Sequence, residues 1–145
     1  MPKLTLPALT RHDFQTEMPV CIQHVNYGKH LGHDALVSLL HEARVRFLHS
    51  LGHTELKIGD AGLILRDLAV QYLAEAFHGD LLRFQLAVTE WHPHGFELTY
   101  QVSHAASRQP VARARTTMVC FDYTSRKPLR LPADFQALFP PLETA

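Results

Sequence analysis

The sequence predicts a two-layer α+β domain in which one long apolar helix packs against a single antiparallel sheet. Three observations carry this prediction. The segment 34–51 has apolar residues at helical spacing, the stretches that follow it alternate with a period of two, and short turn signals separate those stretches. Strands that are joined by such short loops pair antiparallel, because a parallel crossover needs a much longer connection.

Before the helix, a first strand is predicted over 17–25, and a polar, glycine-containing stretch follows at 26–33. The helix itself has an apolar surface so wide that a sheet must wrap around it. We expect His33 or Asp34 to cap its start and Gly52 to end it. The residues that carry the helical spacing are Leu36, Leu40, Ala43, Phe47 and Leu51.

Four further strands are predicted after a loop at 53–61, and a short helix is predicted within 132–139. Turn signals rich in Gly, Pro, Asp and Ser separate the strands, so we expect one antiparallel meander. The predicted strands span 63–77, 82–89, 96–103 and 111–123.

Length and composition limit the classes of protein open to this chain. Its 145 residues suffice for one domain, predicted over 1–145 with a loose N-terminal arm at 1–12. A hydrophobic fraction of 46% and a charged fraction of 19% are typical of a folded globular chain. The 14 Lys and Arg residues balance 14 Asp and Glu residues, which argues against a nucleic-acid-binding protein.

Targeting and metal-binding patterns are absent from the sequence. No apolar run approaches the roughly 20 residues that cross a bilayer, and the N-terminus lacks the regions of a signal peptide. We therefore expect a cytoplasmic protein without membrane contact, in which Cys21 and Cys120 are buried free thiols. The 11 histidines are scattered, with no HExxH motif and no zinc-spaced cysteine pair, so no metal site is expected.

Several groups of residues, taken together in this order, resemble a known family. They are VNYGKHLGHDAL at 25–36, HEARVRFL at 41–48 with LG at 51–52, VQYLAEAFHGD at 70–80, FD at 121–122 and RKPLRLP at 126–132. This pattern is similar to that of hot-dog acyl-CoA thioesterases of the 4-hydroxybenzoyl-CoA type, and the resemblance covers about 20–139.

The resemblance implies a hot-dog fold, in which a curved antiparallel sheet wraps the long helix. It also implies a homo-oligomer whose protomers pair their sheets edge to edge, with active sites at the dimer interface; dimer and tetramer both stay open. The implied substrate is a thioester of coenzyme A or of acyl carrier protein. It would be hydrolysed to the free acid and the thiol without a metal or redox cofactor.

The start of the helix is suited to polarising a thioester carbonyl. Backbone N–H groups are free there, and the positive end of the helix dipole stabilises an oxyanion. Gly32, His33 and Asp34 stand where the loop enters the helix. Gly28 and Gly32 have no side chains and let the backbone approach a ligand closely. We expect the thioester carbonyl to bind here.

The sequence leaves open which residue activates the attacking water. The resembling enzymes carry an aspartate before the helix and a histidine seven residues later, and the matching positions here are Asn26 and His33. Asparagine takes no proton at neutral pH, so Asn26 is expected to orient the water or the carbonyl. Asp34 is the nearest carboxylate, with a helix cap as its competing role. Glu42 is a further candidate for the base, and an ion pair with Arg46 is its competing role.

Other side chains complete the predicted site. His30 and His33 are the candidate general acids and bases, and Tyr27 is a candidate contact of the acyl group or the sulfur. Asp67 and Glu75 are interpreted as interface or surface charges. Cations that can bind the phosphates of coenzyme A are Arg113, Arg115, Arg126, Lys127 and Arg130.

Two other functions stay open at this point. A hydratase or dehydratase on the same fold would use His30 or His33 with Asp34 on an enoyl thioester. A non-catalytic module that binds acyl thioesters is favoured if Asn26 has removed the catalytic base. The sequence contains no GxSxG, GxGxxG or GxxxxGK[ST] motif, so it supports neither a serine hydrolase nor a nucleotide site of those types.

Overall fold

The computed structural model describes residues 2–142 and contains one six-stranded antiparallel sheet wrapped around one long helix. The predicted two-layer α+β architecture is confirmed. The elements in chain order are β1 (Phe14–Pro19), α1 (His33–Ser50), β2 (Gly62–Tyr72), β3 (Leu81–His92), β4 (Gly95–His104), β5 (Pro110–Asp122), β6 (Lys127–Pro128) and α2 (Ala133–Gln136).

Helix α1 begins and ends one residue before its predicted bounds. Gly52 follows it with a φ of 80°, as expected of a glycine that ends a helix. The predicted cap is wrong, because Gly32 occupies the N-cap position and no side chain caps the helix start. The buried face of α1 comprises Leu36, Leu39, Leu40, Ala43, Phe47 and Leu48, together with Arg44.

The inner face of the sheet supplies the other half of the core. Strands β4 and β5 have the largest share of buried residues, and both have a neighbouring strand on each side. Each large apolar side chain that is removed from water there stabilises the fold by about 1.5–3 kcal/mol. The fully buried members include Leu82, Phe84, Leu86, Phe96, Leu98 and Val102.

The strand order is β1-β3-β4-β5-β2, so the predicted four-strand meander is only partly right. Strands β3, β4 and β5 are neighbours, but β2 pairs with β5 at the sheet edge. Strand β2 also ends at Tyr72, five residues before the predicted end. The segment 73–80 leaves the ladder because Ala76 bonds to the loop before α1, where Leu31 N donates to Ala76 O at 2.8 Å. This segment carries the chain to β3, which lies on the other side of the β4–β5 pair.

The first strand begins three residues earlier than predicted. It ends at Pro19, which has no N–H to continue a ladder. Residues Ile22–His24 form a short 3-10 turn instead of strand. In this turn the backbone N–H of Cys21 donates to His24 Nδ1 at 2.9 Å. A local bond from a side chain to the backbone thus competes successfully with strand pairing.

The N-terminal segment predicted as a loose arm instead crosses the outer face of the sheet. Leu6 is buried, and its backbone N–H donates to Gln71 Oε1 at 3.0 Å. The backbone N–H of Leu9 donates to Gln101 Oε1, also at 3.0 Å. Two strands therefore hold the arm at separate points, which its sequence alone does not reveal.

Both cysteines are free, as expected. Cys120 is buried, and burial raises the pKa of its thiol to about 11. Cys21 is only partly buried. A thiol with the pKa of Cys120 stays protonated and unreactive at neutral pH.

A buried arginine links the helix to the middle of the sheet. Arg44 is 5% exposed, and its Nη1 donates to the Tyr100 hydroxyl at 3.1 Å while its Nε donates to Glu55 at 3.2 Å. The Tyr100 hydroxyl lies 2.7 Å from Thr116 Oγ1. Burial raises the pKa of Tyr100, which therefore stays protonated. The network satisfies the buried guanidinium and fixes α1 over β4 and β5.

Replacing Tyr100 by Phe removes the hydroxyl and leaves Arg44 and Thr116 without this partner in the core. We expect the free energy of unfolding to fall by about 1–3 kcal/mol, as measured by urea denaturation. Tyr27→Phe is the matched control. Tyr27 is fully exposed, so the loss of its hydroxyl is expected to leave stability unchanged. Equal stability of the two variants would contradict this role for the network.

Candidate active site

A cavity of about 390 Å³ opens where α1 begins, between the loop before the helix and the segment that follows β2. Its volume lies within the range of about 300–1,000 Å³ that is usual for small-molecule sites. Apolar side chains on its wall include Leu31, Leu36, Leu73 and Val111. Polar side chains on its wall are Asn26, His30, His33, Tyr72 and Glu75.

The loop before the helix is a closed turn that brings Asn26 and His30 to the same wall. Asn26 N donates to His30 O at 2.9 Å, and Lys29 N donates to Asn26 O at 3.0 Å. Lys29 has a φ of 70°, which lets the chain reverse over so few residues. Val25 and Leu31 pair as an isolated bridge at the base of the turn. The turn therefore presents two predicted site residues to the cavity.

Gly32 joins this turn to α1 and is buried. A Cβ at this position would lie 2.7 Å from Asp34 Oδ1 and 3.4 Å from the Cβ of Asn26. The missing side chain thus permits the close approach that the sequence predicts for this glycine. It also leaves the first backbone N–H groups of the helix, from His33 onward, without a side-chain cap.

Tyr72, at the end of β2, bonds to the first turn of α1. Its hydroxyl donates to His33 O at 2.9 Å. Burial, with a smaller effect of the nearby Asp34 carboxylate, raises the pKa of Tyr72, so the hydroxyl stays protonated. This contact holds the helix start against the sheet edge. Sequence reasoning missed it, because no spacing rule connects a strand end with a helix start 39 residues away.

Three of the predicted site residues meet on the cavity wall, namely Asn26, His30 and His33. Gly28 lies beside them, since a Cβ there would be 3.3 Å from both Asn26 Oδ1 and His30 Nε2. Tyr27 is fully exposed and does not line the cavity of this chain. The contact of Tyr27 with a bound acyl group stays a prediction.

The two predicted carboxylates do not line the cavity. Asp34 is exposed in the first turn of α1, with Oδ1 close to the space that Gly32 leaves empty. Glu42 accepts a hydrogen bond from Arg46 Nε at 3.1 Å, and Arg46 also donates to Thr16 on β1. The ion pair weighed for Glu42 in the sequence is the arrangement observed, on the side of the helix near β1.

Glu75 was predicted to be an interface or surface charge. It lies on the cavity wall. Its neighbours hold it in place, because Leu31 N donates to Ala76 O at 2.8 Å and Ala74 N donates to Val111 O at 3.2 Å. The signal that could have found it is its position inside the VQYLAEAFHGD motif. Only the departure of the segment 73–80 from β2 shows why that position faces the cavity.

The predicted phosphate-binding cations do not border the cavity of their own chain. Arg113 donates to Leu6 O at 3.1 Å and so holds the N-terminal segment on the outer face of the sheet. Arg115 lies 3.9 Å from Glu97. Arg126, Lys127 and Arg130 follow the far end of β5, whose 13 residues span roughly 40 Å from the cavity end.

Within residues 2–142, no group of three or more His, Cys, Asp or Glu side chains is arranged to hold a metal ion. In the same part of the chain, neither helix has the length and apolarity to cross a membrane.

Comparison with known proteins identifies the family. The model of the thioesterase-like superfamily matches residues 20–139. The chain belongs to the thioesterase-like superfamily. The predicted family, fold and class of enzyme, a thioesterase, are thereby confirmed.

Relatives within the superfamily include two cyanobacterial enzymes, each named 1,4-dihydroxy-2-naphthoyl-CoA hydrolase. The protein from Synechocystis is 35% identical over 104 residues, which cover 69% of this chain and 75% of that protein. The protein from Synechococcus elongatus is 30% identical over 106 residues, which cover 70% of this chain and 76% of that protein.

Solved thioesterase structures share the fold. The crystal structure of a 1,4-dihydroxy-2-naphthoyl-CoA thioesterase from Synechocystis is similar with a TM-score of 0.78 and 29% identity, over 86% of this chain and 93% of that chain. A probable thioesterase from Escherichia coli has a TM-score of 0.70 at 22% identity, over 85% of this chain and 93% of that chain. The second likeness shows the fold alone.

Proposed function

We propose that this thioesterase hydrolyses an aromatic acyl-CoA and that the acyl group enters the cavity at the start of α1. The single observation that carries the proposal is the meeting of Asn26, His30 and His33 with an apolar wall at an uncapped helix start. Two relatives that cover most of this chain are named as hydrolases of a naphthoyl-CoA, which supports an aromatic acyl group. The apolar wall formed by Leu31, Leu36, Leu73 and Val111 suits such a ring.

In the proposed reaction the thioester carbonyl oxygen faces the first backbone N–H groups of α1. These groups point along the helix axis and stabilise the negative charge that develops on the oxygen when water attacks. Asn26 lies on the same wall and orients the carbonyl or the water through its side-chain amide. His30 and His33 are placed to donate a proton to the thiolate that leaves.

We further propose that the working unit is a homodimer formed through the free edge of β2. Within residues 2–142, this 11-residue strand has a partner on one side only, which is β5. Its exposed apolar side chains are Leu65, Leu68 and Tyr72, and the exposed Leu73 follows directly. A long apolar edge strand pairs readily with another copy of itself.

Antiparallel pairing of two β2 strands about Asp67, the middle residue of the strand, brings opposite ends of the two protomers together. The start of one β2 at Gly62 then lies beside the end of the other at Tyr72, which borders the cavity. The far end of the partner's β5 reaches the same place, because Gly62 pairs with Phe121. Under this arrangement Arg126 and Lys127 of the partner are the cations that meet the phosphates of coenzyme A.

A non-catalytic module that binds acyl thioesters is the second candidate, and Asn26 is the observation that favours it. The family pattern that the sequence resembles has an aspartate at this position, and an amide cannot replace a carboxylate as a base. Measurement of thiol release separates the two functions.

Thiol release from a panel of acyl-CoAs tests the proposed activity. We expect benzoyl- and naphthoyl-CoA to be cleaved with a kcat/KM at least about tenfold above that of acetyl-CoA, because the apolar wall binds the ring. The assay follows the free thiol with a chromogenic disulfide. Tight binding in calorimetry without any thiol release would contradict the hydrolase and favour the binding module. Loss of the enoyl absorbance of an enoyl-CoA would favour a hydratase.

Leu68→Glu tests the dimer edge. Two carboxylates introduced at facing edges repel each other, so we expect the mass from size exclusion with light scattering to fall from dimer to monomer and thiol release to fall with it. Leu138→Glu is the matched control, since Leu138 is an exposed leucine outside β2 and its exchange is expected to leave the mass unchanged. A Leu68→Glu dimer with wild-type activity would exclude this edge as the interface.

A further inference from the structure

We infer that Glu75 is the base that activates the attacking water, in place of the aspartate that is missing at position 26. This inference rests on the proposed hydrolysis. Among the residues that line the cavity, Glu75 is the one carboxylate. The cavity thus contains a proton acceptor of the type that thioester hydrolysis requires, supplied by a different segment of the chain.

The other acidic candidates do not line the cavity. Glu42 forms its ion pair with Arg46 on the side of α1 near β1. Asp34 is outside the cavity lining and approaches Gly32. Asp67 lies on the edge of β2, where hydrogen bonds from Thr117 and Arg66 lower the pKa of its carboxyl group and make it a weaker base.

The backbone holds Glu75 at the cavity from three directions. Ala76 O accepts from Leu31 N, which connects it to the loop that carries Asn26 and His30. Leu73 N and Ala74 N donate to Val111 O, at 2.8 and 3.2 Å, which connects the preceding residues to β5. His104 Nε2 lies 3.3 Å from the carbonyl oxygen of Glu75 itself. The backbone around Glu75 is therefore held by hydrogen bonds from three other segments.

No described side chain forms a salt bridge with the Glu75 carboxylate within residues 2–142. The carboxylate is therefore available to bind a water molecule. Glu75 lines the same cavity as the residues at the uncapped helix start, so the cavity brings a base and the donors for the oxyanion together.

The reaction then balances without a co-reactant. The Glu75 carboxylate takes one proton from water as the water oxygen bonds to the carbonyl carbon, and the C=O electron pair moves to the oxygen. When that pair returns, the C–S bond breaks and the thiolate leaves with the bonding electrons. The proton on Glu75 passes through His30 or His33 to the sulfur, which restores the carboxylate. The products are the carboxylic acid and the free thiol of coenzyme A.

The test compares Glu75→Gln with Glu90→Gln on the acyl-CoA that the wild-type protein cleaves best. Glu90 is exposed near the far end of β3, so the same exchange there is the matched control. For Glu75→Gln we expect kcat to fall by about 10²–10⁴-fold with little change in KM, because the amide cannot take the proton. Glu90→Gln is expected to keep wild-type kcat and KM.

A second variant separates a chemical role from a structural one. Glu75→Ala is expected to be as inactive as Glu75→Gln, and added formate is expected to restore thiol release in proportion to its concentration. Thermal unfolding shows whether the variants fold like the wild-type protein. Full activity of Glu75→Gln, or an inactive folded Glu75→Ala that formate does not restore, would overturn the inference.

The outcomes also separate this inference from the proposed function. If the wild-type protein cleaves no member of the panel, the hydrolase itself fails. If the wild-type protein cleaves thioesters and Asp34→Asn is inactive while Glu75→Gln is active, hydrolysis stands and Asp34 is the base instead.

Discussion

Burial of the apolar face of α1 against the inner face of the sheet determines where every other part of the molecule lies. A helix with Leu36, Leu40, Ala43 and Phe47 on its buried face is stable only when strands cover it. Its N-terminus then lies at the end of the core, where the chain enters from the loop at 26–32. The uncapped N–H groups, the cavity and the end of β2 meet at this point, because the first residues of the helix lie beyond the end of the core. The position of the site is thus a consequence of packing.

The sequence predicts the parts of this structure that depend on local pattern, and it misses those that depend on contacts between distant segments. The helix and the hairpins of β3, β4 and β5 follow from periodicity and turn residues, so their bounds are nearly right. The place of β2 beside β5 does not follow, because a period of two says nothing about which strand is the neighbour. The same limit applies to the site. Asn26, His30 and His33 are close together in the chain and were found, whereas Glu75 reaches the cavity through the bond between Leu31 and Ala76.

Asn26 changes how the chemistry is distributed in the site. In the resembling enzymes, an aspartate occupies this position before the helix. In this chain that position holds an amide, which can orient a group but cannot take its proton. The proposed arrangement gives orientation to Asn26 and proton transfer to Glu75. It also places the phosphate-binding cations on the second protomer, so one protomer alone lacks part of the site.

Complementation between two inactive variants tests most directly the claim that each site is built from two protomers. One parent is Glu75→Gln, and the other is the double variant Arg126→Ala with Lys127→Ala, assayed at low substrate concentration. In a mixed dimer, both defects fall in one site and the other site is intact. If each site is built from two protomers, random mixing restores about a quarter of the wild-type activity. Activity of the mixture no higher than the mean of the two parents would contradict the shared site.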